Sequence, residues 1–159
     1  MTPSIFRICT IVGVGLAASM LPAQERRGLQ GVWDVSVTVT NCHGVTIRTV
    51  RSLQLFHRDG SIIETSDLAS RGISEGVWKR TGERTYDAFY WFFRYPPPEG
   101  PFASFAKIKD TITLDSDADH FTSSGTVEDF EANRTTMTSC FTHTATRLTH
   151  PDQEKDDSR

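Results

Sequence analysis

The sequence predicts an all-β protein, a single domain folded as an eight-stranded antiparallel up-and-down barrel. Three observations carry this expectation. No long stretch shows the apolar period of a helix. Segments rich in Val, Ile, Thr, Phe, Tyr and Trp recur between clusters of turn residues. Two cysteines, Cys42 and Cys140, stand where the first and last of these segments would meet.

Eight segments read as strands, at about 31–41, 45–57, 61–67, 73–80, 84–95, 102–115, 119–131 and 134–148. The turns between them are marked by Cys42-His43-Gly44, Arg58-Asp59-Gly60, Thr81-Gly82-Glu83, Ser116-Asp117-Ala118 and Ala132-Asn133-Arg134, so most neighbours are hairpins. The connection after the fifth strand differs. Pro96-Pro97-Pro98-Glu99-Gly100-Pro101 has too few backbone donors for a ladder and reads as a stiff external loop. The tail, 149–159, is charged and nearly free of apolar groups, which predicts disorder.

Hairpin-linked strands can form an open meander, a sandwich or a closed barrel, and closure removes the exposed edges. The cysteines favour closure. Cys42 ends the first strand and Cys140 lies midway along the last, so a bridge between them sets those strands side by side. Alternation agrees: Trp33, Val35, Val37 and Val39 share one face of the first strand, with Asp34, Ser36, Thr38, Thr40 and Cys42 opposite. On the last strand Cys140 falls with Thr142, Thr144 and Thr146, and Phe141, His143, Ala145 and Arg147 face the other way. Both cysteines therefore lie on outward, polar faces. The alternative to a disulfide is two separate buried thiols.

Residues 1–23 have the layout of a secretory signal peptide: Arg7, an apolar run from Ile8 to Leu21, then Pro22-Ala23-Gln24, with cleavage placed after Ala23. The expected domains are thus a leader at 1–23, a barrel at 24–148 and the tail. Cleavage would leave 16 basic against 20 acidic side chains, a net charge of −4. That balance disfavours nucleic acid and anionic membrane surfaces as partners, and no integral span is expected after cleavage. An exported, periplasmic or secreted location also suits a disulfide.

Gly31-Val32-Trp33 opening the first strand and Arg147 near the end of the last resemble the Gly-x-Trp and closing Arg of lipocalin and wider calycin barrels. That resemblance implies a cation over the indole at the closed end of the barrel. The stretches LFHRDGSIIET, GVWKRTGERTYDAF, DADHFTSSGTVEDFEAN and SCFTHTATRL resemble a family of uncharacterised exported bacterial proteins over about residues 30–148. This second resemblance implies a fold and a compartment but no activity. The chain departs from lipocalins in lacking the helix after the barrel, and from the second family in having Arg134 where a Gly is expected.

The expected ligand-binding residues are Trp33, Val35, Val37, Tyr90, Phe92, Phe141, His143 and Arg147, lining a site for a small apolar molecule. Trp33 and Arg147 also read as structural plugs. An inward His143 could ligate haem iron, as in the nitrobindin barrels it then resembles, or act as a general base; a lone inward His is more often a hydrogen-bonded core residue. The segment Tyr86–Tyr95 is aromatic on both faces, with Tyr86, Tyr90 and Phe92 on one and Phe89, Trp91, Phe93 and Tyr95 on the other. Trp91 and Phe93 therefore form a candidate surface for a homodimer, unless the Pro-rich loop or the leader covers them. Glu64, Glu75, Glu128, Asp129 and Glu131 read as solvated or turn residues, and His57 and His120 as exposed. No hydrolase, phosphate-loop, zinc or dinucleotide motif is present, so no catalytic or metal-binding residue is assigned.

Three functions compete on this reading: a binding barrel for an apolar ligand, an envelope interaction module using the aromatic strand 86–95, and a haem-binding or isomerase-like enzyme centred on His143.

Overall fold

The structure is a computed structural model that describes residues 27–95, 104–131 and 134–150, with the backbone alone described at 131 and 134–136. The leader, the Pro-rich loop, Asn133 and the tail beyond 150 lie outside the described residues. Eight strands form: β1 Gly31–Thr40, β2 Thr46–Phe56, β3 Ser61–Ser66, β4 Ser74–Arg80, β5 Thr85–Arg94, β6 Ser104–Leu114, β7 His120–Glu131 and β8 Arg134–Arg147. Each pairs antiparallel with its neighbours in chain order, and β1 pairs with β8 to close the barrel. The seam runs from Trp33 opposite Arg147 to Thr40 opposite Cys140.

Three of the hairpin turns are built in the same way. Asn41 Oδ1 accepts from the amides of His43 and Val45, Asp59 Oδ1 from that of Ser61, and Asp117 Oδ1 from those of Asp119 and His120. The short side-chain acceptor stands in for a backbone carbonyl and fixes the reversal. Positive φ angles at Cys42, Gly44, Gly60 and Ala118 complete these turns.

Alternation sends one face of every strand inward. Trp33, Phe56, Ile62, Phe121 and Leu29 are fully buried at one end of the barrel, here the tryptophan end. Edge-on aromatic contacts join Trp33 to Phe121 and Phe56 to Trp78. Close approach of neighbouring strands needs Gly125, where an added Cβ would lie 2.0 Å from the Lys109 carbonyl oxygen and 2.6 Å from the Phe141 ring. The other end carries the 41–45 and 67–73 connections. There Cys42 and Cys140 are joined, with Cα atoms 4.8 Å apart, so the bridge clamps the first hairpin to the last strand as expected. We call this the disulfide end.

The carboxylates depart from expectation. Glu64 and Asp129 are buried, at 1% and 5% exposure, as is Asp110. Each falls on an inward position of its strand, where alternation outweighs the preference of a charge for water. Glu75 is exposed and Glu128 pairs with Lys109 on the outer face, as a solvated role requires.

Candidate functional site

The tryptophan end is a plug. The Arg147 guanidinium lies over the Trp33 indole and donates to the carbonyl oxygens of Gln30, Gly28 and Ala118, while Trp33 Nε1 donates to that of Leu29. Burial pushes the Arg147 pKa down, partly offset by Asp119.

Toward the disulfide end the interior becomes a small cavity of about 30 Å³, room for about one water molecule. Of the residues predicted to bind ligand, Val37, Tyr90, Phe92, Phe141 and His143 line it. Trp33, Val35 and Arg147 are not among its lining residues; these three sit nearer the plug, and the Arg147 donors go to backbone carbonyls.

The cavity is also far more charged than predicted. Glu64 from β3, Arg48 from β2, Arg94 from the end of β5 and Arg71 from the 67–73 connection all reach it. Glu64 Oε2 accepts from Arg71 and, at 2.9 Å, from the Ser74 hydroxyl, and the Glu64 and Arg71 side chains are only 1% and 9% exposed. Arg94 donates from Nε and Nη2 to the two carboxylate oxygens of Asp129. Both guanidiniums lie over the Phe92 ring, with Arg71 Cζ 3.9 Å and Arg94 Cζ 4.8 Å from its centroid. The Arg71 contact holds the 67–73 connection against the barrel wall.

Deeper in, His143 Nδ1 approaches Asp110 Oδ2 to 3.3 Å, both side chains being buried, and the imidazole stacks on Phe141. His143 thus has the titratable neighbour that its strand alone did not reveal. The Tyr90 hydroxyl accepts from Gln54 Nε2 at 3.5 Å, and burial, then the charges of Glu64 and Asp110, push its pKa well above the ordinary value. It is a neutral phenol at physiological pH. Several buried polar atoms have no hydrogen-bond partner: Arg48 Nε, Glu64 Oε1, His143 Nδ1, Gln54 Oε1, both Asp110 oxygens and the hydroxyls of Ser52 and Ser123.

A haem does not fit this interior. A porphyrin needs a cleft many times larger than about 30 Å³, and the His143 ring is flanked by Phe141 and Asp110. Among the described residues no group of three or more His, Cys, Asp or Glu side chains could hold a metal ion.

On the outer wall Trp91 and Phe93 are 41% and 55% exposed, as expected, and Phe89 packs edge-on to Trp91. Val77, paired in register with Phe89, extends the apolar face onto β4. Lys107 Nζ stands 4.9 Å from the Phe89 centroid. Among the described residues no helix is long and apolar enough to cross a membrane.

No family model matches this chain, and neither a curated protein nor a solved structure matches it.

Proposed function

We propose that the protein is an exported small-molecule carrier, a lipocalin-like barrel that takes its ligand at the disulfide end. One observation carries the reading: Arg48 Nε and Glu64 Oε1 belong to residues lining a single interior cavity, and each of these buried atoms lacks a hydrogen-bond partner. Buried polar groups are costly unless satisfied, and cavities with an apolar wall and few convergent polar groups are where barrels bind small molecules. Val37, Val39, Val50, Leu68 and Phe92 supply the apolar wall. The cavity as it stands has room for about one water molecule, so the carrier reading requires the 67–73 connection, which bears Leu68 and Arg71, to move when a larger ligand enters.

The exported location draws support from the bridge between Cys42 and Cys140, since disulfides persist in oxidising compartments. Native mass spectrometry of protein recovered from the cell envelope tests the carrier reading. It predicts a reproducible small-molecule adduct that is lost on denaturation. A clean apo mass, with no change in melting temperature across a panel of apolar compounds, would reject it.

A second reading, self-association through the aromatic face, is favoured by the exposure of Trp91 and Phe93. It predicts a concentration-dependent dimer in sedimentation that Trp91→Glu abolishes; a monomer at high concentration would sink it.

A further inference from the structure

We infer that the partner on the aromatic face is a second copy of this chain, related by a two-fold axis running along β5, with Glu75 of each copy set against Lys107 of the other. The inference rests on the self-association reading and adds to it the orientation of the two copies and the residues that fix it.

The outer face is apolar along one strand and charged on the strands beside it. On β5 the outward side chains are Phe89, Trp91 and Phe93, with Trp91 and Phe93 exposed. In register with Trp91 stand Glu75 on β4 and Lys107 on β6, one on each side. Glu75 is exposed, and neither it nor Lys107 makes an ion pair among the described residues. Glu128, which stands beside Lys107 on the next strand, is held by Lys109. The acid and the base lie about 10 Å apart, two strand spacings, with the indole between them.

Charge decides between two arrangements. A closed dimer that packs face to face has its two-fold axis in the plane of contact, and the axis that lays the apolar strand on itself runs either along β5 or across it. An axis across β5 sets Glu75 on Glu75 and Lys107 on Lys107 of the second copy. An axis along β5 exchanges the flanks, so that Glu75 meets Lys107 twice while Trp91 and Phe93 meet their own copies. The same exchange brings exposed Ile73 over the second copy's Phe105: Ile73 follows Gly72, whose amide donates to the Phe93 carbonyl, and Phe105 is paired with Phe93 from the other side. Packed sheets keep their strands within about 30° of each other, which a two-fold close to β5 satisfies. A barrel wall is convex across its strands, so the gap between two copies widens away from the axis, and Glu and Lys have the length to close it. Asp87, the carboxylate on β5 itself, lies about 13 Å from Trp91 along the strand, at the rim of the contact.

Sedimentation equilibrium of the oxidised chain tests this with Glu75→Lys, with Lys107→Glu and with the two combined. The wild type is expected to form a weak dimer, because a contact three strands wide falls at the low end of specific interfaces. Each single reversal opposes like charges at both contacts and should weaken the dimer at least about tenfold. The double variant restores opposite signs and should return close to the wild-type constant. A one-to-one mixture of the two single variants should dimerise as well as the double variant does, since both contacts of the mixed pair then join opposite charges. All these changes lie on the outer face, so melting temperatures should stay close to that of the wild type. If Trp91→Glu abolishes the dimer and the single reversals leave it unchanged, the copies meet in another orientation; the inference falls and the self-association reading stands. Reversals that weaken the dimer with no recovery in the double variant or the mixture overturn the pairing in the same way. A wild type that stays monomeric at high concentration overturns both and leaves the face to a different occupant.

Discussion

The Arg147 guanidinium carbon stands 4.1 Å from the centroid of the Trp33 ring, and the same side chain is hydrogen-bonded to the carbonyl oxygens of Gln30, Gly28 and Ala118. One residue thus ties the chain before β1, the turn before β7 and the end of β8 into a lid over the core. Arg147→Met keeps the apolar stem and loses the rest, so chemical denaturation should show a loss of about 2–4 kcal/mol. Arg147→Lys should recover little, because one ammonium cannot reach all three carbonyls.

The bridge between Cys42 and Cys140 spans 98 residues of sequence. Removing the link frees the unfolded chain, so Cys140→Ser is expected to cost about 2–4 kcal/mol. Equal melting temperatures with and without reductant would refute the bond.

Glu64 and Arg71 form a buried pair, and single and double replacements should differ in size. Glu64→Leu strands a guanidinium in the interior and should destabilise by about 3–5 kcal/mol. Glu64→Leu combined with Arg71→Met removes both charges and should recover most of that loss. A double variant no better than the single one would show that the pair does not act as a unit.

Gly125→Ala places a methyl group 2.0 Å from the Lys109 carbonyl oxygen and 2.6 Å from Phe141. Neither the backbone nor the packed ring can yield without moving β6 or β8. Equilibrium unfolding should register a loss of about 1–3 kcal/mol, the range for overpacking.

Protonation acts through the turn at Asp117. Backbone amides and His120 hold the Asp117 carboxyl below its ordinary range, so its contribution is present above the unfolded value near 3.8 and is lost as pH falls through the lowered folded value. His120 moves the other way, raised by its bond to Asp117. Its contribution is complete below the unfolded value near 6.5 and is lost as pH rises through the raised folded value. The wild type should therefore show a small decline in melting temperature as pH rises above about 6.5 that His120→Gln lacks. A decline of the same size in both proteins would assign it to other groups.

The barrel was legible in the sequence because each of its devices is local. Alternation on β1 and β8, the turn residues at 42–44, 58–60 and 116–118, and two cysteines of matching parity all act over a few residues. The interior charges were harder to see, although part of the signal was there. Asp110 stands in phase with Ile108 and Ile112, and Asp129 with Val127, so alternation puts both inside, against the expectation of a solvated Asp129. Glu64 gave less, since Ile62 and Ile63 make both faces of β3 apolar. Arg71 gave nothing, because it reaches the interior from a connection where no period applies. The Asp110 and His143 contact spans β6 to β8 and needs the registers of two hairpins at once.

A closed sheet made from a linear chain has one seam that no hairpin supports, and here it is the one between β1 and β8. A terminal strand at such a seam is the natural candidate for trading between two copies, each lending its last strand to the other. The covalent bond ties that strand to its own first hairpin, so the oxidised chain cannot make the trade. Reduction lifts the prohibition, and the same sequence then has a route to intertwined assemblies that its oxidised form lacks.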